Sequence, residues 1–240
     1  MLVVVWRALP ETRVVAPAPS VAPSARPAPL WKDPRVAPFL IYGFLVATCQ
    51  NAQGYTLGFL VIDTLGVSPI AAQSYIMIAM AGGAIAGLLA QWGLIRTFRM
   101  TPRDLLRWGV ALAAGGNLLV AFAPDYAAVV VGFSISSLGF GFARPGFTAG
   151  ASLAVNLGEQ ARAAGAIAAI NGANVLLAPA FVWFYEHWAP GPFLLNMAIL
   201  LGLLGYALAD RQLKGVNDRT GLEEATTASV LERGDEGAGP

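Results

Sequence analysis

Apolar residues fill most of this chain in blocks of about twenty, separated by short clusters of charge, glycine and proline. A helix rising about 1.5 Å per residue needs roughly 20 such residues to cross a hydrocarbon layer about 30 Å thick. Six segments meet that test, at 37–62, 70–93, 106–122, 127–148, 163–185 and 192–209. The breaks between them carry turn chemistry: Gly66 with Pro69, Arg99 through Pro102, Pro124 with Asp125, Gly158 through Arg162, and Pro190 through Pro192. The pattern predicts an all-α membrane protein with six transmembrane helices.

Charge position tests that count. With six crossings, Arg7, Arg13, Arg26, Lys32 and Arg35 precede the first helix, and Arg96, Arg99, Arg103 and Arg107 lie between the second and third. Arg162 lies between the fourth and fifth, Arg144 near the end of the fourth, and Arg211, Lys214, Arg219 and Arg233 follow the sixth. All 15 basic residues therefore fall on one side, and the opposite loops hold only Asp63, Asp125, Glu186 and His187. Positive charge marks the cytoplasmic face, so the expectation is a multi-pass protein of the cell inner membrane with both termini cytoplasmic.

Outside the helices two stretches differ in kind. Residues 1–35 open on a short apolar run, Met1 to Trp6, then become rich in proline and alanine, with eight of the 16 prolines between Pro10 and Pro38. They read as the last turns of a preceding helix followed by an extended cytoplasmic linker. Residues 36–210 form the six-helix domain, and 211–240, with mixed charge, Gly and Thr, read as a disordered cytoplasmic tail.

Composition narrows the function classes. At 56% hydrophobic and 12% charged, with a mean hydropathy of +0.61, the chain suits lipid as its solvent rather than water. The single cysteine, Cys49, allows neither a disulfide framework nor a thiolate metal site. No metal-ligand spacing, phosphate loop or dinucleotide fingerprint occurs, so no cofactor is expected, and no basic patch points to nucleic acid. Six spans and Gly150-Ala151-Ser152 raise the alternative of an intramembrane serine protease. That chemistry needs a histidine within reach of the serine. The one histidine, His187, belongs to the opposite side of the membrane, so the expectation is not an enzyme.

Polar groups inside the spans are the candidate chemistry, because lipid penalises them unless they line a cavity or bond between helices. Gln50, Asn51, Gln53 and Tyr55 cluster near the middle of the first span and Asn171 and Asn174 share a face of the fifth. Asn117 stands alone in the third and reads as a packing hydrogen bond. Arg144 is either an interfacial anchor about one turn from the helix end or a cavity ligand, and Pro145-Gly146 beside it are expected to break the helix. Gly83 and Gly87 form a small-xxx-small pair for close packing. Apart from Arg144, no ionisable residue lies well inside a span, so any proton relay would come from another polypeptide.

The stretch Gln91-Trp92-Gly93-Leu94-Ile95-Arg96-Thr97-Phe98-Arg99, then Thr101-Pro102-Arg103-Asp104, resembles the basic cytoplasmic loop between the second and third helices of a major facilitator half. Gly93, Arg96, Arg99 and Arg103 are its motif residues here; the early acidic partner of the family pattern is missing. Gly139-Phe140-Gly141-Phe142-Ala143-Arg144-Pro145-Gly146, Gly158-Glu159-Gln160-Ala161-Arg162 and the Gly172 to Pro179 stretch resemble helices 10 and 11 of drug:proton antiporters related to tetracycline-resistance efflux proteins.

The likeness covers residues 1–210 and implies one half of a major facilitator fold, the C-terminal one, built as a 3+3 inverted repeat. It also implies a secondary transporter that exports drug-like or amphiphilic small molecules by proton antiport, with Gln50, Asn51, Gln53, Tyr55, Asn171, Asn174 and Arg144 toward a substrate cavity. Partners would be membrane lipid, a small-molecule substrate, protons, and a second six-helix half or a second copy. A truncated product without transport activity, or one subunit of a split transporter, is the competing reading.

Overall fold

The computed structural model describes residues 30–156 and 159–209. The remaining residues, and with them most of the expected helix remnant and linker at 1–35 and all of the expected tail at 211–240, lie outside the described residues. Six helical rods follow a short 3-10 turn at Leu30–Lys32: α1 (Ala37–Leu65), α2 (Pro69–Phe98), α3 (Pro102–Ala121), α4 (Tyr126–Leu153), α5 (Gln160–His187) and α6 (Gly191–Ala209). Their bounds follow the six apolar segments closely. Among the described residues there is no strand.

Local chemistry sets the helix ends. Ser68 accepts a hydrogen bond from the Ala71 N–H ahead of Pro69, and Asp125 accepts one from the Ala128 N–H at 2.8 Å. Thr101 and Asp104 cap each other reciprocally at the start of α3, with Pro102 in the first turn. Gly66 closes α1 in the left-handed conformation, φ 62°, its N–H reaching the Ile62 carbonyl. Arg99 holds the equivalent position after α2 at φ 46°, an uncommon place for a residue with a Cβ.

Two rods are interrupted internally. α2 contains a π turn at Leu89–Leu94, and α5 a 3-10 turn at Asn174–Leu177 just before Pro179. The expected break at Pro145-Gly146 is corrected: α4 runs unbroken past Pro145 to Leu153. The missing proline N–H removes one hydrogen bond. The following residues are nonetheless held on both sides, Gly146 against Leu105 and Leu106 of α3 and Phe147 against Gly43 of α1.

Four rods, α2, α4, α5 and α6, are long and apolar enough to cross a membrane by length and composition. α1 carries Gln50, Asn51 and Gln53 at mid-length, and α3 opens on Arg103, Asp104 and Arg107, which lowers their apolar content. The tightest crossing is between α3 and α4. A Cβ added at Gly109 would lie 2.6 Å from the Ala143 backbone nitrogen, and Gly116 and Gly139 are equally blocked by the backbone of the facing helix. Gly82 and Gly83 of α2 meet Ser134, Phe133 and Ser137 of α4, whereas Gly87 lies near Gly141.

Contacts across the bundle sort the charges by end. At one end Arg35 pairs with Glu159 at 3.5 Å, Arg107 donates to the Ala207 carbonyl, and the Tyr42 hydroxyl donates to the Leu106 carbonyl. At the other, the Tyr185 hydroxyl donates to Asp63 at 2.7 Å and that of Tyr126 to the Tyr75 carbonyl. Lys32, Arg35, Arg96, Arg99, Arg103, Arg107 and Arg162 share the first end; Asp63, Asp125, Glu186 and His187 share the second. Outside the bundle core, hydrogen bonds from Arg35 hold the Asp33 carboxyl below its ordinary range, and Asp33 in turn raises Arg35.

Candidate functional site

α1 presents Ala47, Gln50, Asn51, Gly54 and Tyr55 in a single stripe, the i, i+3, i+4, i+7, i+8 pattern of one helix face. Opposite it α4 contributes Phe133, Ser137, Phe140 and Arg144, again one stripe, while α2 adds Met80 and α5 adds Asn171. Together with Gln53 they line a cleft of about 490 Å³, within the size range of small-molecule sites. α3 and α6 contribute none of its lining and stand behind it.

Gln50, Asn51, Gln53, Tyr55, Asn171 and Arg144 are thus brought to one cleft. Their states differ. Gln53 is only 1% exposed, and its Nε2 donates to Ser136 Oγ on α4, whose hydroxyl donates on to the Phe133 carbonyl at 2.9 Å. Gln50, Asn51, Tyr55 and Asn171 are half-buried. Arg144 is exposed within the cleft, and its guanidinium makes no ion pair or hydrogen bond with the described residues. It lies about two and a half turns before the end of α4, because the helix continues through Pro145. The expected position one turn from the helix end is corrected accordingly.

Asn174 does not line the cleft. It is fully buried, donating to the Ile170 carbonyl at 2.9 Å and accepting from the Thr48 hydroxyl of α1. Both ends of the amide are occupied, the oxygen in tying α5 to α1 and the nitrogen within α5, so one turn of α5 serves the cleft through Asn171 and packing through Asn174. Asn117 forms part of a buried amide cluster: its Nδ2 donates to the Ala113 carbonyl, and its Oδ1 accepts from Asn196 Nδ2 at 3.2 Å. Asn196 also donates to the Cys49 carbonyl at 3.0 Å, linking α6 to α1 and α3, and its own Oδ1 is buried without a partner.

Sequence reading missed Asn196, Thr48 and Ser136. Asn196 had a usable signal, a lone amide in an otherwise apolar run; Thr48 and Ser136 had none, since hydroxyls often bond back within their own helix. Phe133 and Phe140 were equally silent, because an aromatic residue in an apolar helix does not announce which face it occupies.

The motif residues near the basic end behave differently from the cleft. Gly93 lies in the π turn of α2, Arg96 and Arg99 are exposed, and Arg103 is half-buried with its Nε unbonded. The nearby Asp104 carboxylate bonds Thr101 as a cap, and none of the three arginines pairs with a described carboxylate. Ser152 sits at the basic end of α4. His187 stands at the far end of α5, its Nδ1 2.8 Å from the Trp183 carbonyl.

Apolar rods, segregated charge and a polar cleft between helices define a multi-pass helical membrane protein. A family model described as Major Facilitator Superfamily matches residues 1–179. The chain belongs to the major facilitator superfamily, a family of membrane transporters. A comparison with curated proteins returns no match.

Proposed function

We propose that this chain is one six-helix half of a secondary transporter, its six rods all crossing the inner membrane as two three-helix units, with the basic end in the cytoplasm. In this reading it exports amphiphilic small molecules in exchange for protons, as the resemblance to tetracycline-type drug:proton antiporters suggests, and works beside a second six-helix unit. That unit is a separate half or another copy of this chain.

The observation that carries the reading is the one-sided cleft. Gln50, Asn51, Tyr55, Asn171 and Arg144 all open toward the same side, away from α3 and α6. Facing hydrocarbon, each amide or hydroxyl would lack a partner, at a cost of several kcal/mol per group by transfer scales. A second half set against α1, α2, α4 and α5 would enclose a watered cavity and remove that cost. α5 supports the same reading, since little of its apolar length is buried within the chain. No carboxylate lines the cleft, so the proton carrier belongs to the other half.

The test is reconstitution. Vesicles holding at most one copy of the chain are compared with vesicles holding a tandem dimer, or the chain with a co-expressed six-helix partner, under an imposed pH gradient. Movement of a fluorescent amphiphile is expected only in a two-unit preparation. Transport by isolated single copies defeats the half-transporter reading; failure of every two-unit preparation favours a chain without transport activity.

A further inference from the structure

Arg144 raises a question that the cleft alone leaves open, namely what neutralises it. A guanidinium keeps its charge at any physiological pH. Placed about 14 Å short of the helix end along α4, it stands deeper than an ordinary interfacial arginine. The ion pairs among the described residues involve Asp33 and Glu159 at the basic end, and the cleft wall contains no acidic side chain. An unpaired charge at such depth is disfavoured unless an anion or water meets it.

The surroundings of Arg144 have a definite chemistry. Gln50, Asn51 and Asn171 offer amide N–H donors and Tyr55 a hydroxyl, while Gln53 is already committed to Ser136. Phe133, Phe140 and Met80 supply an apolar wall beside these donors. The result is one fixed cation with neutral donors at one place and aromatic surface at another.

We infer that the cleft binds an amphiphilic organic anion, its carboxylate or sulfonate on Arg144 and its apolar body against Phe133, Phe140 and Met80. This rests on the transport-site reading of the cleft and narrows it to a substrate class. A cationic amphiphile is repelled by the same guanidinium, and a neutral one leaves it unpaired. Arg144 acts as the charge selector and the amides as adaptable secondary donors, an arrangement that favours charge over shape.

A charge-matched series tests it: one aromatic amphiphile as its carboxylate, its primary amide and its amine, titrated into a purified tandem dimer of the full chain in lipid nanodiscs and followed by tryptophan fluorescence. The carboxylate is expected to bind at least about tenfold more tightly than the amide, as suits a charge-assisted hydrogen bond, with the amine weakest. Arg144→Gln should abolish the preference and Arg144→Lys should keep most of it. Protection of the buried Cys49 thiol from maleimide verifies that each variant is folded. Equal binding of all three compounds to the unaltered chain overturns the anion inference and leaves the cleft as a site. Binding of none removes the site reading together with it.

Discussion

Buried amides do in this bundle what apolar side chains do in a soluble core, because lipid gives neighbouring helices little hydrophobic reason to associate. α1 is the hub: Thr48 reaches Asn174 of α5, Gln53 reaches Ser136 of α4, and the Cys49 carbonyl receives Asn196 of α6. Asn196 donates to Asn117 as well as to the Cys49 carbonyl, and Asn117 keeps only a bond within its own helix once Asn196 is gone. Replacing Asn196 by Ala is expected to destabilise the fold by about 1–2 kcal/mol, and Asn117→Ala by less, since Asn196 then retains the Cys49 carbonyl. The single cysteine provides the measurement: Cys49 is 0% exposed, so its reaction with a thiol-reactive dye during heating reports unfolding. Coincident melting curves for Asn196→Ala and the unaltered chain would rule out a structural role for the cluster.

At the level of elements, the α3–α4 seam shows how sharply position controls the cost of one added side chain. Gly109, Gly116 and Gly139 face backbone atoms of the opposite helix, and Gly115 on the same helix as two of them has nothing within 4 Å. Gly139→Val should therefore push α3 and α4 apart, costing about 3 kcal/mol or more and lowering the yield of folded protein. Gly115→Ala should be neutral or stabilising by up to about 1 kcal/mol, through helix propensity alone. Size-exclusion profiles and thermal melts in detergent compare the two. If both variants behave alike, the seam is not where the helices are held.

Across the whole molecule, charge segregation and helix number constrain each other. Adding or removing one helix between Asp63 and Arg96 would place Arg96, Arg99, Arg103 and Arg107 on the side of Asp63, and doing so between Arg107 and Glu186 would place Glu186 and His187 on theirs; the ends found in the fold keep these groups apart. Because Cys49 is shielded, cysteines introduced singly serve as topology probes in the native chain. Arg99→Cys and Arg162→Cys should react with an impermeant maleimide only from the cytoplasmic face, and Glu186→Cys only from the opposite face. Labelling of Arg99→Cys from outside an intact cell would reverse the orientation and remove the basis for a cytoplasmic loop motif.

The helix pattern, the turn chemistry between helices and the grouping of arginines were legible in the chain because each depends on residues close together in sequence. Lipid thickness sets segment length, proline and glycine punctuate it, and charge stays out of the hydrocarbon. The candidate cleft was readable in part for the same reason: Gln50, Asn51 and Tyr55 lie within two turns of one helix, and helical geometry alone puts them on one side. Which amides are free and which are tied was not readable. Asn171 and Asn174 carry identical side chains one turn apart, and their difference comes from Thr48, more than a hundred residues away, standing opposite one of them. Likewise Pro145 signals a break in isolation, yet packing of Gly146 and Phe147 on two other helices carries α4 through it and sets the depth of Arg144. Local periodicity supplied the rods and their order, whereas contacts between distant segments chose the partners, the open side and the exposed cation.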